Sequence, residues 1–271
     1  MSKILITGAS GFIGSNFFEY LKKIQHCCEG YSRSSINNAF KKVDDYCALI
    51  KDDTGNELVI HLAGSNSPEA IDNINKEFET VKALSNYFKN RLIYISSAKV
   101  YMRKNNKMLK ETDSTTTCNK YNTLKLMCES EVIKNNGMVL RLSNIYGKGM
   151  SRSNVFSHIK QQLIENKNEI FLKRPDDIGD FIHINDLSIA LYQSSISPTC
   201  SIFNVGSGLG VSIRELCKII AQQLGIKDIK ILSTSKNYQP MSAVLCCDLF
   251  RKYYNWKPNI KLDQGIKNWI Q

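Results

Sequence analysis

The sequence predicts an α/β fold, a doubly wound parallel sheet carrying a smaller C-terminal lobe, and three observations predict it. KILITGASGFIGSNFFEYLKKI at the N-terminus reads as strand, glycine turn and helix without interruption. LVIHLAG (58–64) and RLIYISSAKVY (91–101) are further apolar runs ending in small or hydroxyl residues, the pattern of strands buried on both faces. Strand-like and helix-like stretches then alternate up to residue 147, with no internal repeat.

Composition narrows the class. A chain of 271 residues with 42% hydrophobic and 23% charged residues can bury a large core and has the make-up of a soluble globular protein. No apolar run approaches the roughly 20 residues of a membrane helix. KILITG opens as structure with no charged and apolar leader ahead of it, so a cytoplasmic location without a membrane partner is expected. Nine cysteines form two adjacent doublets, Cys27–Cys28 and Cys246–Cys247, plus singles, with no CxxC; buried free thiols in a reducing compartment are the expectation. The four histidines lack metal-ligand spacing, and no metal is expected. The net charge of +11 is spread without a run of five basic residues, which suits a phosphorylated small molecule better than nucleic acid.

In the first element, KILIT is rich in branched residues and GASGFIG places glycines at 8, 11 and 14. Gly8 permits the tight turn, Gly11 lets the backbone approach a pyrophosphate, and Gly14 lets helix pack on strand. Phe17, Phe18, Leu21 and Ile24 follow at helical spacing. Gly8, Ser10, Gly11, Phe12, Ile13 and Gly14 are therefore the expected phosphate cradle, with free N–H groups at the helix start. The next strand ends in EGYSRSS. A carboxylate for the adenosine ribose would stand at Ser32, followed here by Arg33, while Glu29 falls earlier within the strand. An arginine suits a 2′-phosphate and an acid repels it, so NADP(H) is favoured over NAD(H). Leu62, Ala63 and Gly64 end the LVIHLAG strand where the dinucleotide would lie across it.

RLIYISSAKVY delivers Ser96 and Ser97 at its C-terminal end, and YNTLK follows about twenty residues later, leading into the helical stretch TLKLMCESEVI. At i and i+4 on a helix, Tyr121 and Lys125 share a face. A phenol titrates at about pH 10 and is a poor base alone. An adjacent ammonium favours the phenolate, and a serine hydroxyl holds a carbonyl or alkoxide oxygen. Together they form a general acid/base for hydride transfer at a carbonyl carbon. Tyr253 and Lys257 repeat the interval, but Pro258 interrupts a helix there and no serine-tipped strand precedes them.

MVLRLSNIYG (138–147) reads as one more strand and turn. SRSNVFSHIKQQLIENKNEIFLKRP begins the lobe with a helix, DFIHINDLSIALYQSS returns to the core, and SIFNVGSG supplies a late strand. VSIRELCKIIAQQLG is an amphipathic helix with Ser212 as N-cap and Glu215 three residues on. The expected division is a core of residues 1–147, completed by about 178–206 and 236–250, with 148–271 mainly a substrate-binding lobe.

TGASGFIG, HLAG, SSAKVY, YNTLK, RLSNIYG, DFIHINDL and FNVGSG occur in an order that resembles the extended short-chain dehydrogenases/reductases acting on nucleotide sugars, over nearly the whole chain. The resemblance implies a Rossmann sheet with a smaller C-terminal substrate-binding lobe. It makes Tyr121 the acid/base, with Lys125 favouring its phenolate and holding the nicotinamide ribose. Ser97 would bind the reacting oxygen and Asn144 would contact substrate. Dehydratases of the family carry Asp-Glu directly after the catalytic Ser/Thr, whereas Ala98-Lys99 stand here. PMSAVLCCDLFRKYYNWKP resembles the deoxysugar 4-ketoreductases of the dTDP-4-dehydrorhamnose reductase type. Other positions depart: Leu124 precedes the lysine, Met102 follows VY, and Gly179 stands where an arginine often anchors the diphosphate, so Arg174, Lys173 or Arg152 would take that role. The implied activity is NADPH-dependent reduction of a nucleotide-linked (dTDP- or GDP-) 4-keto-6-deoxy sugar. An NAD-dependent nucleotide-sugar 4-epimerase is the alternative, and a non-catalytic dinucleotide- or RNA-binding relative is the alternative of another class. A homodimer is among the expectations, since dimers are common in the family.

Overall fold

A computed structural model describes residues 2–34, 39–64, 74–102, 107–166, 168–235 and 237–271. The first half runs β1 (Ile4–Thr7), α1 (Phe12–Lys23), β2 (Cys28–Ser32), β3 (Lys41–Lys42), α2 (Leu49–Asp52), β4 (Leu58–His61), α3 (Ile74–Phe88), β5 (Leu92–Ser97), α4 (Lys120–Lys134) and β6 (Met138–Leu142). The second half runs β7 (Asn144–Tyr146), α5 (Val155–Asn166), β8 (Glu169–Leu172), β9 (Ile178–His183), α6 (Ile184–Ile196), β10 (Ile202–Val205), β11 (Gly210–Ser212), α7 (Ile213–Gln223), β12 (Lys230–Ser233), β13 (Ser242–Ala243), α8 (Asp248–Tyr254) and α9 (Leu262–Ile270).

Seven strands form one parallel sheet in the order β10-β6-β5-β4-β1-β2-β3. Strand alternation feeds two cores. Ile4, Ile6 and Ile60 face Phe17, Leu21, Leu187 and Leu191, from α1 and α6. Leu5 and Val59 face Val81, Leu84, Leu124 and Val132, from α3 and α4. With both faces covered, a near-continuous apolar run is what each strand needs. Chain direction across the sheet reverses between β1 and β4, and the crevice beyond that reversal is where an open α/β sheet receives a ligand.

The glycine turn is built by steric necessity. Gly8 has φ +65°, a conformation only glycine adopts readily. A Cβ on Gly14 would run into the carbonyl oxygen of Gly8 and come within 2.8 Å of Ala9 Cα. Helix α1 ends at Lys23, one residue before the expected apolar stripe does. Ile24 is its C-cap and 38% exposed, because Gln25 turns left-handed (φ 55°) and lifts the chain off the sheet.

The lobe has its own core of Phe156, Ile159, Leu163, Ile170, Leu216 and Ile220, from α5, β8 and α7. Strand β9 belongs to a second small sheet with β7, β11 and β13, so RLSNIYG supplies two strands rather than a strand and a turn. β10, in contrast, closes the edge of the main sheet beside β6. The Ser212 cap of α7 forms, its Oγ accepting from Glu215 N at 3.0 Å. All nine cysteines are unpaired thiols; Cys128, Cys217 and Cys247 are buried as expected, whereas Cys27, Cys118 and Cys200 lie on the surface. No helix among the described residues is long and apolar enough to cross a membrane.

Replacing Gly14 by alanine sets a methyl group against backbone that has no room to yield. A loss of about 1–3 kcal/mol is expected in urea denaturation; wild-type stability would show that the turn relaxes freely.

Candidate active site

The ends of β1, β2 and β4 enclose a cavity of about 390 Å³ lined by Gly8, Ser10, Gly11, Ser32, Arg33, Ser34, Tyr46, Leu62, Ala63 and Gly64. Eight of these are positions expected from sequence. Phe12, Ile13 and Gly14 instead form the first turn of α1, where Gly11 is an N-cap without a side chain, leaving the helix N–H groups to whatever lies beyond. Three hydroxyls meet at the floor: Ser10 Oγ lies 2.6 Å from Ser32 Oγ and 3.1 Å from Ser34 Oγ. The Arg33 guanidinium stands 5.6 Å from the Tyr46 ring centre. No carboxylate is among the described lining residues. Glu29 is in β2 as expected and is held away by Lys3 and Lys41, each at 2.7 Å. A glycine turn, an uncapped helix start and an acid-free hydroxyl cluster fit a dinucleotide. Ser34 was legible as a third hydroxyl in EGYSRSS; nothing in the sequence flagged Tyr46.

Register sets the wall between β1, β4 and β5. Thr7, His61 and Tyr94 lie side by side across the three strands. Thr7 Oγ1 accepts from the N–H groups of Leu62 and Ala63, each at 3.2 Å, so its hydrogen goes to His61 Nδ1 at 2.9 Å. That leaves His61 neutral with its proton on Nε2, between the rings of Tyr46 and Tyr94. Burial, helped by the positive charges of Lys125 and Arg33, pushes its pKa down to about 3.

Helix α4 carries Tyr121, Lys125 and Glu129 on one face, and all three are buried. Lys125 Nζ donates to the carbonyl of Ile95 at 3.1 Å and stands 4.9 Å and 5.8 Å from the ring centres of Tyr94 and Tyr121. A Cβ on Gly64 would lie 3.5 Å from that nitrogen, so Lys125 reaches the wall of the dinucleotide cavity. Tyr121 lines a second cavity, of about 420 Å³, with Lys99, Tyr101, Met102, Asn122 and Met241 among its neighbours. Ser97 ends β5 and caps the following 3-10 turn; its Oγ accepts from Lys99 N at 3.2 Å, which leaves its own O–H to donate. Tyr253 and Lys257, by contrast, share no helix face: α8 stops at Tyr254 and Asn255 turns left-handed.

Beneath this constellation lies a charged network that sequence reasoning missed. The Glu129 carboxylate accepts from Arg141 Nε at 3.0 Å, Arg141 Nη2 at 2.6 Å and the hydroxyl of Ser96. Arg141 stacks 4.7 Å from the Tyr101 ring centre, and Tyr101 donates to Asn204 Oδ1 at 2.7 Å. Strand register, which sets Ser96 beside Arg141, brings the parts together.

Two expected substrate contacts have partners within the protein. Asn144 opens β7 and donates to the carbonyl of Asp180 at 3.0 Å. Arg174 does not line either cavity. It donates to both oxygens of Asp177, at 2.7 and 3.0 Å, and to the carbonyl of Gln239, and it stacks on Tyr238.

Residues 4–206 match the NAD dependent epimerase/dehydratase family. The chain belongs to that family. Its relatives include a dTDP-4-dehydro-6-deoxyglucose reductase from Escherichia coli, 26% identical over 99% of this chain and 96% of that one. Another is a UDP-glucose 4-epimerase from Azospirillum brasilense, 23% identical over 97% and 89%. Among solved structures, the Thermus thermophilus UDP-glucose 4-epimerase in complex with NAD superposes with a TM-score of 0.82 at 17% identity, covering 99% and 97%. RMD from Pseudomonas aeruginosa in complex with NADPH gives 0.78 at 22% identity, covering 99% and 97%. Family membership makes the chain an oxidoreductase of the extended short-chain dehydrogenase/reductase type, and the matching folds agree with the seven-stranded parallel sheet.

Two measurements follow from the buried groups. Unfolded His61 takes up a proton below its ordinary value near 6.5, whereas the folded side chain resists to about 3. The unfolded state therefore binds more protons in that window, and stability should fall as pH drops from 6.5 towards 3. The His61 ring signals in NMR should stay at their neutral positions from about pH 8 to about pH 5; a midpoint near 6 would contradict its burial. Arg141→Met should cost about 3–5 kcal/mol in urea denaturation by leaving Glu129 unpaired, and adding Glu129→Leu should recover most of it.

Proposed function

We propose that the chain is an NADPH-dependent reductase of the 4-keto group of a nucleotide-linked (dTDP- or GDP-) 4-keto-6-deoxy sugar. The observation that carries the reading is the position of Lys125. Its ammonium reaches the dinucleotide cavity at Gly64 while Tyr121, one turn earlier on α4, faces the second cavity. A cofactor in the first and a ketone in the second would thus meet at the pair. The E. coli relative with reductase in its name lends support.

In this reading the bound dinucleotide supplies the hydride for the ketone carbon. Tyr121 donates its phenolic proton to the ketone oxygen, giving the alcohol. Lys125 stabilises the phenolate left behind, and solvent returns the proton. Ser97 donates a hydrogen bond to the oxygen as charge develops on it. The 2′-phosphate preference rests on Arg33 and on the absence of an acid beside Ser10, Ser32 and Ser34 among the described residues. Folding of Arg174 onto Asp177 leaves the diphosphate anchor to other side chains.

An NAD-dependent nucleotide-sugar 4-epimerase is the second reading, favoured by the epimerases among the relatives, and it would use the same three residues. A non-catalytic role fits less well, because Ser97, Tyr121 and Lys125 are all retained.

Tyr121→Phe should lower kcat by about 10²–10⁴ without changing dinucleotide affinity; unchanged product formation would reject the mechanism. Arg33→Ala should weaken NADPH binding by about tenfold and leave NADH binding alone. Titrating both nucleotides into both proteins decides this. Tight NADH binding in the wild type would move the epimerase reading to first place.

A further inference from the structure

Among the described residues, the second cavity contains one charged group that the mechanism above does not use. Lys99 lines it, is exposed, and sits 5.5 Å from the ring centre of Tyr121. Its backbone is fixed at both ends: its N–H goes to Ser97 Oγ at 3.2 Å, and its carbonyl accepts from Asn122 Nδ2 at 2.9 Å. The side chain therefore starts from a rigid turn between the catalytic strand and the catalytic helix. Its ammonium has no carboxylate partner among the described residues.

Several guanidiniums are engaged within the protein, and the exposed Arg152 lines neither cavity. Arg174 pairs with Asp177, Arg214 with Asp176 and Arg141 with Glu129, each within 2.7 Å. Arg251 donates to the carbonyl of Ser207 at 2.6 Å. Arg33 belongs to the dinucleotide cavity. Among the described residues, Lys99 is the cation lining the pocket that Tyr121 faces.

We propose that Lys99 is an anion-recognising, specificity-determining residue of the substrate pocket, its ammonium receiving a phosphate or carboxylate oxygen of the substrate whose ketone oxygen Tyr121 protonates. The inference rests on the second cavity being the substrate's, as in the proposed function. A neutral occupant would strip water from the ammonium and give nothing back, whereas an anionic oxygen compensates that loss. Two sources carry this chemistry: the sugar-linked phosphate of a nucleoside diphosphate sugar, and a carboxylate on the sugar itself. The first suits a chain whose Arg174 is folded onto Asp177, and it is the source we expect.

The test is calorimetric titration of UDP, dTDP, UDP-glucose and UDP-glucuronate into the full chain, as wild type, Lys99→Met and Lys99→Arg. The side chain is exposed and methionine keeps its length; unchanged melting temperature and NADPH affinity control for folding. The expected result is about tenfold weaker binding of all four probes to Lys99→Met, with Lys99→Arg close to wild type. A loss confined to UDP-glucuronate assigns the carboxylate as the source. Equal binding of every probe to wild type and Lys99→Met overturns the proposal while leaving the nucleotide-sugar reading intact. Failure of the wild type to bind any of the four, or GDP titrated in the same way, removes both.

Discussion

The site depends on one constraint: α4 must bury an ammonium and a carboxylate beneath a tyrosine. Neither charge tolerates that position alone. Lys125 meets it with the Ile95 carbonyl and with the faces of Tyr94 and Tyr121. Glu129 meets it with Arg141 and Ser96. Apart from Tyr121 itself, these partners come from β5 and β6, so satisfying the helix also fixes the strand that ends in Ser97. The geometry of serine, tyrosine and lysine is thus a by-product of pairing buried charges.

That arrangement explains why the candidate residues sit where two cavities approach each other. The sheet reverses direction between β1 and β4, and the loops beyond them form the dinucleotide wall. β5 lies next to β4, and α4 packs against α3 over that part of the sheet. Lys125 then needs only the length of its side chain to pass from the face of Tyr121 to Gly64. Neutral His61, locked by Thr7, keeps a further positive charge out of the same wall.

Much of this was legible in the sequence because it rests on local rules. A glycine turn between a branched strand and an amphipathic helix has one steric solution, and Tyr121 and Lys125 share a face as soon as α4 is a helix. Asn255 and Pro258 likewise explain why the second tyrosine–lysine interval is accidental. What stayed hidden depends on long-range pairing. Glu129 and Arg141 looked like ordinary charges of a helix and a strand until register set Ser96 beside Arg141. Arg174 looked available because its partners include Tyr238 and Gln239, more than sixty positions away, although Asp177 lies within one helical turn of sequence. Tyr46 enters the dinucleotide cavity from a segment with no motif at all.

The same distinction gives the net charge its meaning. A formal +11 spread along the chain does not by itself locate an anion site, and some of its basic residues are paired with neighbours: Arg91 with Asp53, Lys41 with Glu29 and Asp52, Arg214 with Asp176. Paired charges of that kind project little field beyond about 8–10 Å at physiological salt. The residues that matter are those whose charge faces a cavity without a counter-ion. Among the described residues that line the two cavities, Arg33 and Lys99 are of this kind, one in each, with no carboxylate beside either. On the proposed reading, an uncompensated cation in each cavity favours a cofactor and a substrate that are both anions, with their reacting ends meeting at Tyr121.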